Sequence, residues 1–217
     1  MLTESKLLDE ISESPRGIPA QKLKYLFSQK KQGIEDKPVI RGDNIERYGL
    51  KGTINYFPAD RKEFEKFSKQ IGRLSKAKIM VQNIVAQTGN HLKIIATYDN
   101  GEACNLDTVN NILLKDKEFN PKYTLAILNS SLISYYAYNF IVNRAVRTMH
   151  FEAFRQIPIK QTDKATQQKI ASLVDEALKN SANKTEFQKI DNKIERETYK
   201  LYGITTKEQK MIEKTFE

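Results

Sequence analysis

A chain of 217 residues with 39% hydrophobic content can bury one core, with or without a helical appendage, and is too apolar to be disordered throughout. Its 36 Lys and Arg against 27 Asp and Glu leave a net charge of +9, which points to nucleic acid or an anionic membrane as partner; 25 of the cations and 17 of the anions fall in residues 1–160. A single cysteine, Cys104, excludes an internal disulfide and, with two distant histidines, a zinc site of the usual Cys/His kind. The charged N-terminus has no apolar signal region, and no run approaches the roughly 18 apolar residues of a membrane span. A reducing, cytoplasmic setting and no membrane partner are expected.

Residues 1–36 mix short apolar patches (Leu7, Leu8, Ile11, then Leu23, Tyr25, Leu26, Phe27) with Pro15, Gly17, Pro19 and Gly33, which predicts turns and short strands. Over 37–57, apolar pieces at 38–40 and 53–57 flank a glycine-bearing polar segment, a strand, loop, strand pattern. Phe64, Phe67, Ile71 and Leu74 then recur at helical spacing on a background of Lys62, Lys66, Lys69, Arg73 and Lys76. Such a basic face is either solvated surface or a row of phosphate contacts, because cations on a rigid face can track a backbone.

β-Branched text at 79–85 and 94–98 predicts strands, and the second runs into Asp99, Asn100 and Gly101, whose Asn-Gly pair predicts a hairpin turn. His91, beside Gly89 and Asn90, is expected in a turn, and residues 109–114 supply another strand. Asn120 followed by Pro121 has the form of an N-cap with proline at the first helical position. Leu125, Leu128, Leu132, Tyr135 and Tyr136 give that helix a buried side, and it runs into a cationic turn holding Asn143, Arg144, Arg147 and His150. Asn129 and Ser130, inside the helix pattern, either bond backbone or read a base. Tyr135, Tyr136 and Tyr138 either pack or form a stacking platform.

Beyond Pro158, Ile170, Leu173, Val174, Ala177 and Leu178 form one stripe and Phe187, Ile190, Ile194 and Leu201 a second, so two helices follow one another around 180–184. Thr185 with Gln188, and Thr205 with Glu208, have the capping-box pattern that starts the second helix and a short third one. The expected fold class is α+β (mixed α/β): a mixed, mostly antiparallel sheet with packed helices rather than alternating βαβ units, followed by a helical C-terminal segment.

No G-x-G occurs, so a dinucleotide-type glycine turn and the usual S-adenosylmethionine loop are both missing, as is any Pro-Pro pair. A metal-dependent nuclease needs clustered carboxylates with a lysine. Glu35, Asp36 and Lys37, or Asp60, Glu63, Glu65 and Lys66, are the available combinations, and solvated charge is the competing reading. His91 and His150 lack the Ser, Cys or Asp context of nucleophilic catalysis, and Cys104 is expected as a small buried hydrophobe. No catalytic residue, metal ligand or cofactor is assigned to the chain.

Several segments resemble one family when taken in order. They are Arg16-Gly17-Ile18; Pro38-Val39-Ile40-Arg41-Gly42-Asp43-Asn44-Ile45-Glu46-Arg47-Tyr48; Lys78-Ile79-Met80-Val81-Gln82-Asn83-Ile84-Val85; Ala96-Thr97-Tyr98-Asp99; Leu128-Asn129-Ser130; Thr148-Met149-His150; Gln156-Ile157-Pro158-Ile159; Gln167-Gln168-Lys169-Ile170; and Leu201-Tyr202-Gly203-Ile204-Thr205. This text is similar to the TaqI-like specificity, or target-recognition, domain of restriction-modification enzymes and adenine-specific DNA methyltransferases, and the likeness covers nearly the whole chain. The resemblance implies a globular domain (1–160) that reads the major groove of a short duplex site. It also implies a helical tail (161–217) packed on that domain or on a catalytic partner. In the family a methyltransferase domain, often fused to a nuclease, precedes this region. The chain is therefore expected to be a cut-out module or a specificity subunit, with S-adenosylmethionine and Mg²⁺ belonging to the missing catalytic part or partner.

On that reading, phosphate-positioning cations are expected at Arg41, Arg47, Lys51, Lys76 and Lys78. Base reading is expected from Asn83, Gln87, Asn143, Arg144, Arg147 and His150, whose donors and acceptors can pair with base edges. Arg41, beside Gly42, could instead fix a turn or pair with Asp43. Two other functions compete: a helical protein-interaction module using the 170–178 and 187–201 stripes, and a nuclease built on residues 60–66.

Overall fold

The computed structural model describes residues 4–19, 27–83, 86–88, 91–141 and 151–216. In the central strand β7 (Ala77–Gln82), Ile79, Met80 and Val81 are all buried, so both faces of the strand are covered. Period-two geometry divides them: Ile79 and Val81 enter the main core with Leu125 and Leu128, while Met80 packs with Ile40, Ile45 and Val109 on the other side. β7 pairs antiparallel with β10 (Ala96–Asn100) and β12 (Val109–Leu114), and β12 pairs with the short β2 (Ser12–Glu13), giving the order β10-β7-β12-β2.

A second sheet sets β3 (Lys37–Ile40) between β11 (Cys104–Asn105), which runs parallel to it, and β6 (Asn55–Phe57), which runs antiparallel. Smaller antiparallel ladders join β4 (Ile45–Glu46) to β5 (Gly49–Leu50), β8 (Ala86–Thr88) to β9 (His91–Lys93), and β1 (Ser5–Leu7) to β13 (Pro158–Lys160). The fold is mixed α/β with largely antiparallel sheets, and it ends in helices.

Several local expectations give way. Asn100-Gly101 does not close a hairpin, because β10 has β7 as its partner and the next strand, β11, belongs to the other sheet. Asp99 accepts the N–H groups of Glu102 and Ala103, and Gly101 (φ +92°) lies so close to Ser75 that a Cβ would stand 2.8 Å from its carbonyl oxygen. Local side-chain bonding and a close crossing thus override the turn propensity. His91 opens β9 opposite Thr88 rather than sitting in a turn. The stripe at 64–74 makes two helices, α2 (Lys62–Lys66) and α3 (Ser68–Leu74), separated at Phe67, whose φ −100°, ψ 8° leaves the α region.

Earlier in the chain, the short α1 (Leu8–Ile11) joins β1 to β2. Asn120 caps α4 (Pro121–Asn129) by accepting from the N–H groups of Lys122 and Tyr123. The helix does not run on: Ser130 is extended (ψ 147°) and its hydroxyl accepts from the Ile133 N–H, capping α5 (Ser131–Tyr136). A π-helical turn over Ala137–Ile141 follows, and after it come the short α6 (Phe151–Phe154) and then β13. α7 (Lys164–Lys179) places Ile170, Val174 and Ala177 in the same core as β7 and α4. α8 (Lys184–Leu201) adds Ile190 and Ile194, each contributing on the order of 1.5–3 kcal/mol by burial. Both apolar stripes are therefore turned inward. α8 is capped by Asn183, not by the expected Thr185, since the Asn183 side-chain oxygen accepts from the Glu186 N–H. The Thr205–Glu208 capping box does start α9 (Thr206–Lys214), whose Ile212 packs with Leu132 and Tyr199.

Candidate functional site

Where β3 ends, the chain makes a 3₁₀ turn over Gly42–Asn44, passes through the β4–β5 ladder and returns towards β6. Buried Asn44 ties this loop together. Its side-chain oxygen accepts from the Arg41 N–H at 3.1 Å, and its amide donates to the carbonyls of Lys51 (3.0 Å) and Thr53 (3.3 Å). The Gly42 N–H donates to Thr108 Oγ1 at 3.1 Å, Asn83 N–H to the Thr108 carbonyl at 3.3 Å, and the Gln82 amide to the Ile45 carbonyl at 2.8 Å. These bonds hold open a cleft of about 500 Å³ lined by Arg41, Gly42, Asp43, Lys51, Gln82 and Thr108.

Two of the expected phosphate cations, Arg41 and Lys51, thus meet at one cleft, and Asn83 stands at its edge where β7 ends. Arg41 pairs with Asp43 at 3.0 Å and Lys51 with Glu46 at 3.6 Å, and all four side chains are about half exposed or more. Exposed pairs of this kind are worth about 0–1 kcal/mol, so an anionic ligand can displace them. The β8–β9 ladder that follows β7 carries Gln87, aligned with Leu92.

Arg47 and Lys78 are placed otherwise, and the structure corrects the expectation that they face phosphates. At the turn between β4 and β5, Arg47 Nε donates to both Asp191 oxygens (2.9 Å) and Nη2 to Asp191 (2.7 Å) and Glu195 (2.8 Å), while Nη1 donates to the Asn129 carbonyl. Burial works against this charge, but Tyr48, Asp191 and Glu195 more than offset it and hold the guanidinium's pKa above its ordinary value. Its N–H groups are consumed inside the protein. The neighbouring Tyr48, at φ +58°, is wholly buried, and burial raises its phenol.

Lys78 is likewise fully buried. Its ammonium bonds the Leu74 (2.5 Å) and Ala103 (2.8 Å) carbonyls and pairs with Asp99; burial lowers its pKa and Asp99 opposes that shift. Lys76 is exposed, but it precedes β7 whereas the cleft lies at the strand's other end, about 20 Å away at ~3.3 Å per residue. Asn143, Arg144, Arg147 and His150 lie outside the described residues.

Other candidates turn out to be structural. Asn129 reads no base: its amide donates to the Ala96 carbonyl (3.0 Å) and its oxygen accepts from the Ala96 N–H (2.8 Å), tying α4 to β10. The Asp36 carboxylate accepts from the N–H groups of Ala59 (2.9 Å), Gly33 and Gln32 (2.8 Å each), which hold its pKa below the ordinary range against the effect of burial. Cys104 is buried, and burial pushes its thiol up to about 12. Among the described residues no group of three or more His, Cys, Asp or Glu could hold a metal ion, and no helix is long and apolar enough to cross a membrane. Gln82 and Thr108 were missed as cleft residues, and Asn44 as the brace of the loop. Only the polar run around Asn44 gave any sequence signal, since Thr108 reaches the cleft by tertiary pairing.

A family model described as the TaqI-like C-terminal specificity domain matches residues 37–159, from β3 into β13. A Methanocaldococcus jannaschii protein assigned as a type II restriction enzyme and methyltransferase is 32% identical over 160 residues, covering 70% of this chain and 13% of that relative. Among solved structures, the type IIL restriction-modification enzyme MmeI in complex with DNA superposes with a TM-score of 0.58 at 9% identity, over 92% of this chain and 34% of its own. The type IIG restriction endonuclease BpuSI does so with 0.56 at 11% identity, over 91% and 31%. A type I restriction-modification assembly gives 0.51 at 10% identity, over 100% and 46%. At these identities the structural likeness is one of fold.

Proposed function

The chain belongs to the family of TaqI-like C-terminal specificity domains, and from that premise we propose that it binds a short double-stranded DNA site sequence-specifically and directs an adenine-specific methyltransferase or endonuclease to it. The observation that carries this reading is the cleft at the end of β7, where, among the described residues, Arg41 and Lys51 hold weak, exposed partners beside Gln82 and Thr108. Two cations on a loop braced by Asn44 suit phosphate contacts, which set register without reading sequence. Base reading is assigned to Asn83 and Gln87 along the β7–β8 edge, and to Asn143, Arg144, Arg147 and His150 beyond α5, through amide and guanidinium pairing with base edges. Methyl transfer or cleavage, with S-adenosylmethionine and Mg²⁺, is assigned to a partner domain or subunit. The rival reading of a helical interaction module loses its basis, because the stripes it used are packed into the core.

Selection of bound duplexes from a randomised library by the 217-residue chain tests the proposal. One consensus site should emerge, and its affinity should fall steeply between about 50 and 200 mM salt. Arg41→Gln with Lys51→Gln should flatten the log–log salt slope by about 1.8, at about 0.9 per phosphate. Arg147→Ala should relax the consensus, while Lys210→Ala should leave it intact. A chain that binds no duplex, or binds without salt dependence, ends the proposal.

A further inference from the structure

A second cationic cleft, of about 330 Å³, lies between α3 and the turn at residues 15–17 and is lined by Arg16, Lys66, Phe67, Lys69, Gln70 and Arg73. Its framework is rigid. Phe64, Phe67, Ile71 and Leu74 pack into a separate core with Ile18, Phe57 and Leu106, which turns the lysines of α2 and α3 outward. The Gln70 amide donates to the carbonyls of Arg16 (2.8 Å) and Gly17 (2.9 Å). Gly17 is pressed so closely on Leu106 that a Cβ would stand 2.2 Å from its carbonyl oxygen, which only glycine permits. Arg16 therefore projects from a fixed base, with its side chain 81% exposed.

The charges of this cleft are poorly matched internally. Arg16 approaches Asp107 only to 3.7 Å and Arg73 approaches Glu13 only to 3.5 Å, and among the described residues neither Lys66 nor Lys69 has a carboxylate partner. The two cationic clefts flank one short stretch of chain: Leu106 lies under Gly17, and Thr108 bonds Gly42 in the first cleft. Resting on the DNA-recognition reading above, we propose that Arg16, Lys66, Lys69 and Arg73 form a second phosphate-binding surface that engages duplex DNA flanking the recognised site. Each strand carries a charge about every 3.4 Å of helix axis, so a duplex seated at Arg41 and Lys51 and running along residues 106–108 would bring further phosphates to this cleft. An acidic protein partner or simple hydration would use the same cations without any dependence on duplex length.

The test uses fluorescence anisotropy of the full 217-residue chain with labelled duplexes of about 10 and about 30 base pairs across a KCl series. Replacing Lys66, Lys69 and Arg73 together by Gln should flatten the salt slope on the long duplex by about 2.7, at about 0.9 per lost contact, and leave the short duplex unaffected. Replacing Lys207, Lys210 and Lys214 by Gln removes the same charge from α9 and should change neither slope. An unchanged long-duplex slope in the first triple variant, equal flattening in the α9 variant, or loss on both duplexes together overturns the second surface. If Arg41→Gln with Lys51→Gln still flattens the slope in that case, the first cleft stands and only this proposal fails. A wild-type chain without salt-dependent binding overturns both.

Discussion

Arg41 and Arg47 belong to the same loop, yet their surroundings differ in every respect that matters to a charge. Among the described residues Arg41 is half exposed and pairs with one carboxylate, whereas Arg47 is sunk between β5, α4 and α8 and bonds two carboxylates and a carbonyl. The same division separates Lys51 from Lys78. A basic chain therefore spends some cations on holding itself together and leaves others for a ligand, and burial of the partner decides which. Near-complete satisfaction by internal acceptors marks a structural cation; a cleft and a loose partner mark one that can bind an anion.

That contrast can be broken or sharpened by substitution. Arg47→Met leaves Asp191 and Glu195 without their cation and should cost about 3–5 kcal/mol in urea unfolding. A cost near zero would place Arg47 with Arg41 after all. Next in size, Asn129→Leu strands the buried Ala96 N–H, while the Ala96 carbonyl keeps the Tyr48 N–H, for an expected loss of about 2 kcal/mol by the same measurement.

Asp36 supplies a smaller, pH-dependent effect. Its carboxyl titrates lower in the folded chain than in the unfolded one, chiefly through the Ala59 and Gly33 N–H groups, so its contribution is complete above the ordinary carboxylate pKa. It is lost as pH falls through the folded value. Stability measured from pH 5 to about 2 should accordingly decline less steeply in Asp36→Asn than in wild type. The smallest effect is expected from Arg41→Gln, within about 0.5 kcal/mol of wild type, although on the proposed function it should weaken duplex binding.

What could be read from the sequence was local chemistry whose partners lie nearby. Asn120 with Pro121, the Thr205–Glu208 box and the apolar run of β12 all behave as their own residues dictate. What could not be read depended on distant chain. Asn100-Gly101 is a strong hairpin signal until Asp99 is committed to Lys78 and the following strand to β3. Ser130 looks like helix interior until its hydroxyl caps the next helix instead. The candidate site divides in the same way. Arg41 and Lys51 flank a glycine-bearing polar loop, as expected of exposed cations, but nothing around Arg47 or Lys78 announces carboxylates 144 and 21 residues away in sequence.

The bond between Arg47 and α8 also sets the unit in which this loop can be exchanged between proteins. A graft that carried the 41–51 loop and its sheet into another scaffold without Asp191 and Glu195 would import a buried cation with nothing to neutralise it. The helix and the loop must travel together, so any variant of this loop is inherited as a pair of segments far apart in the gene.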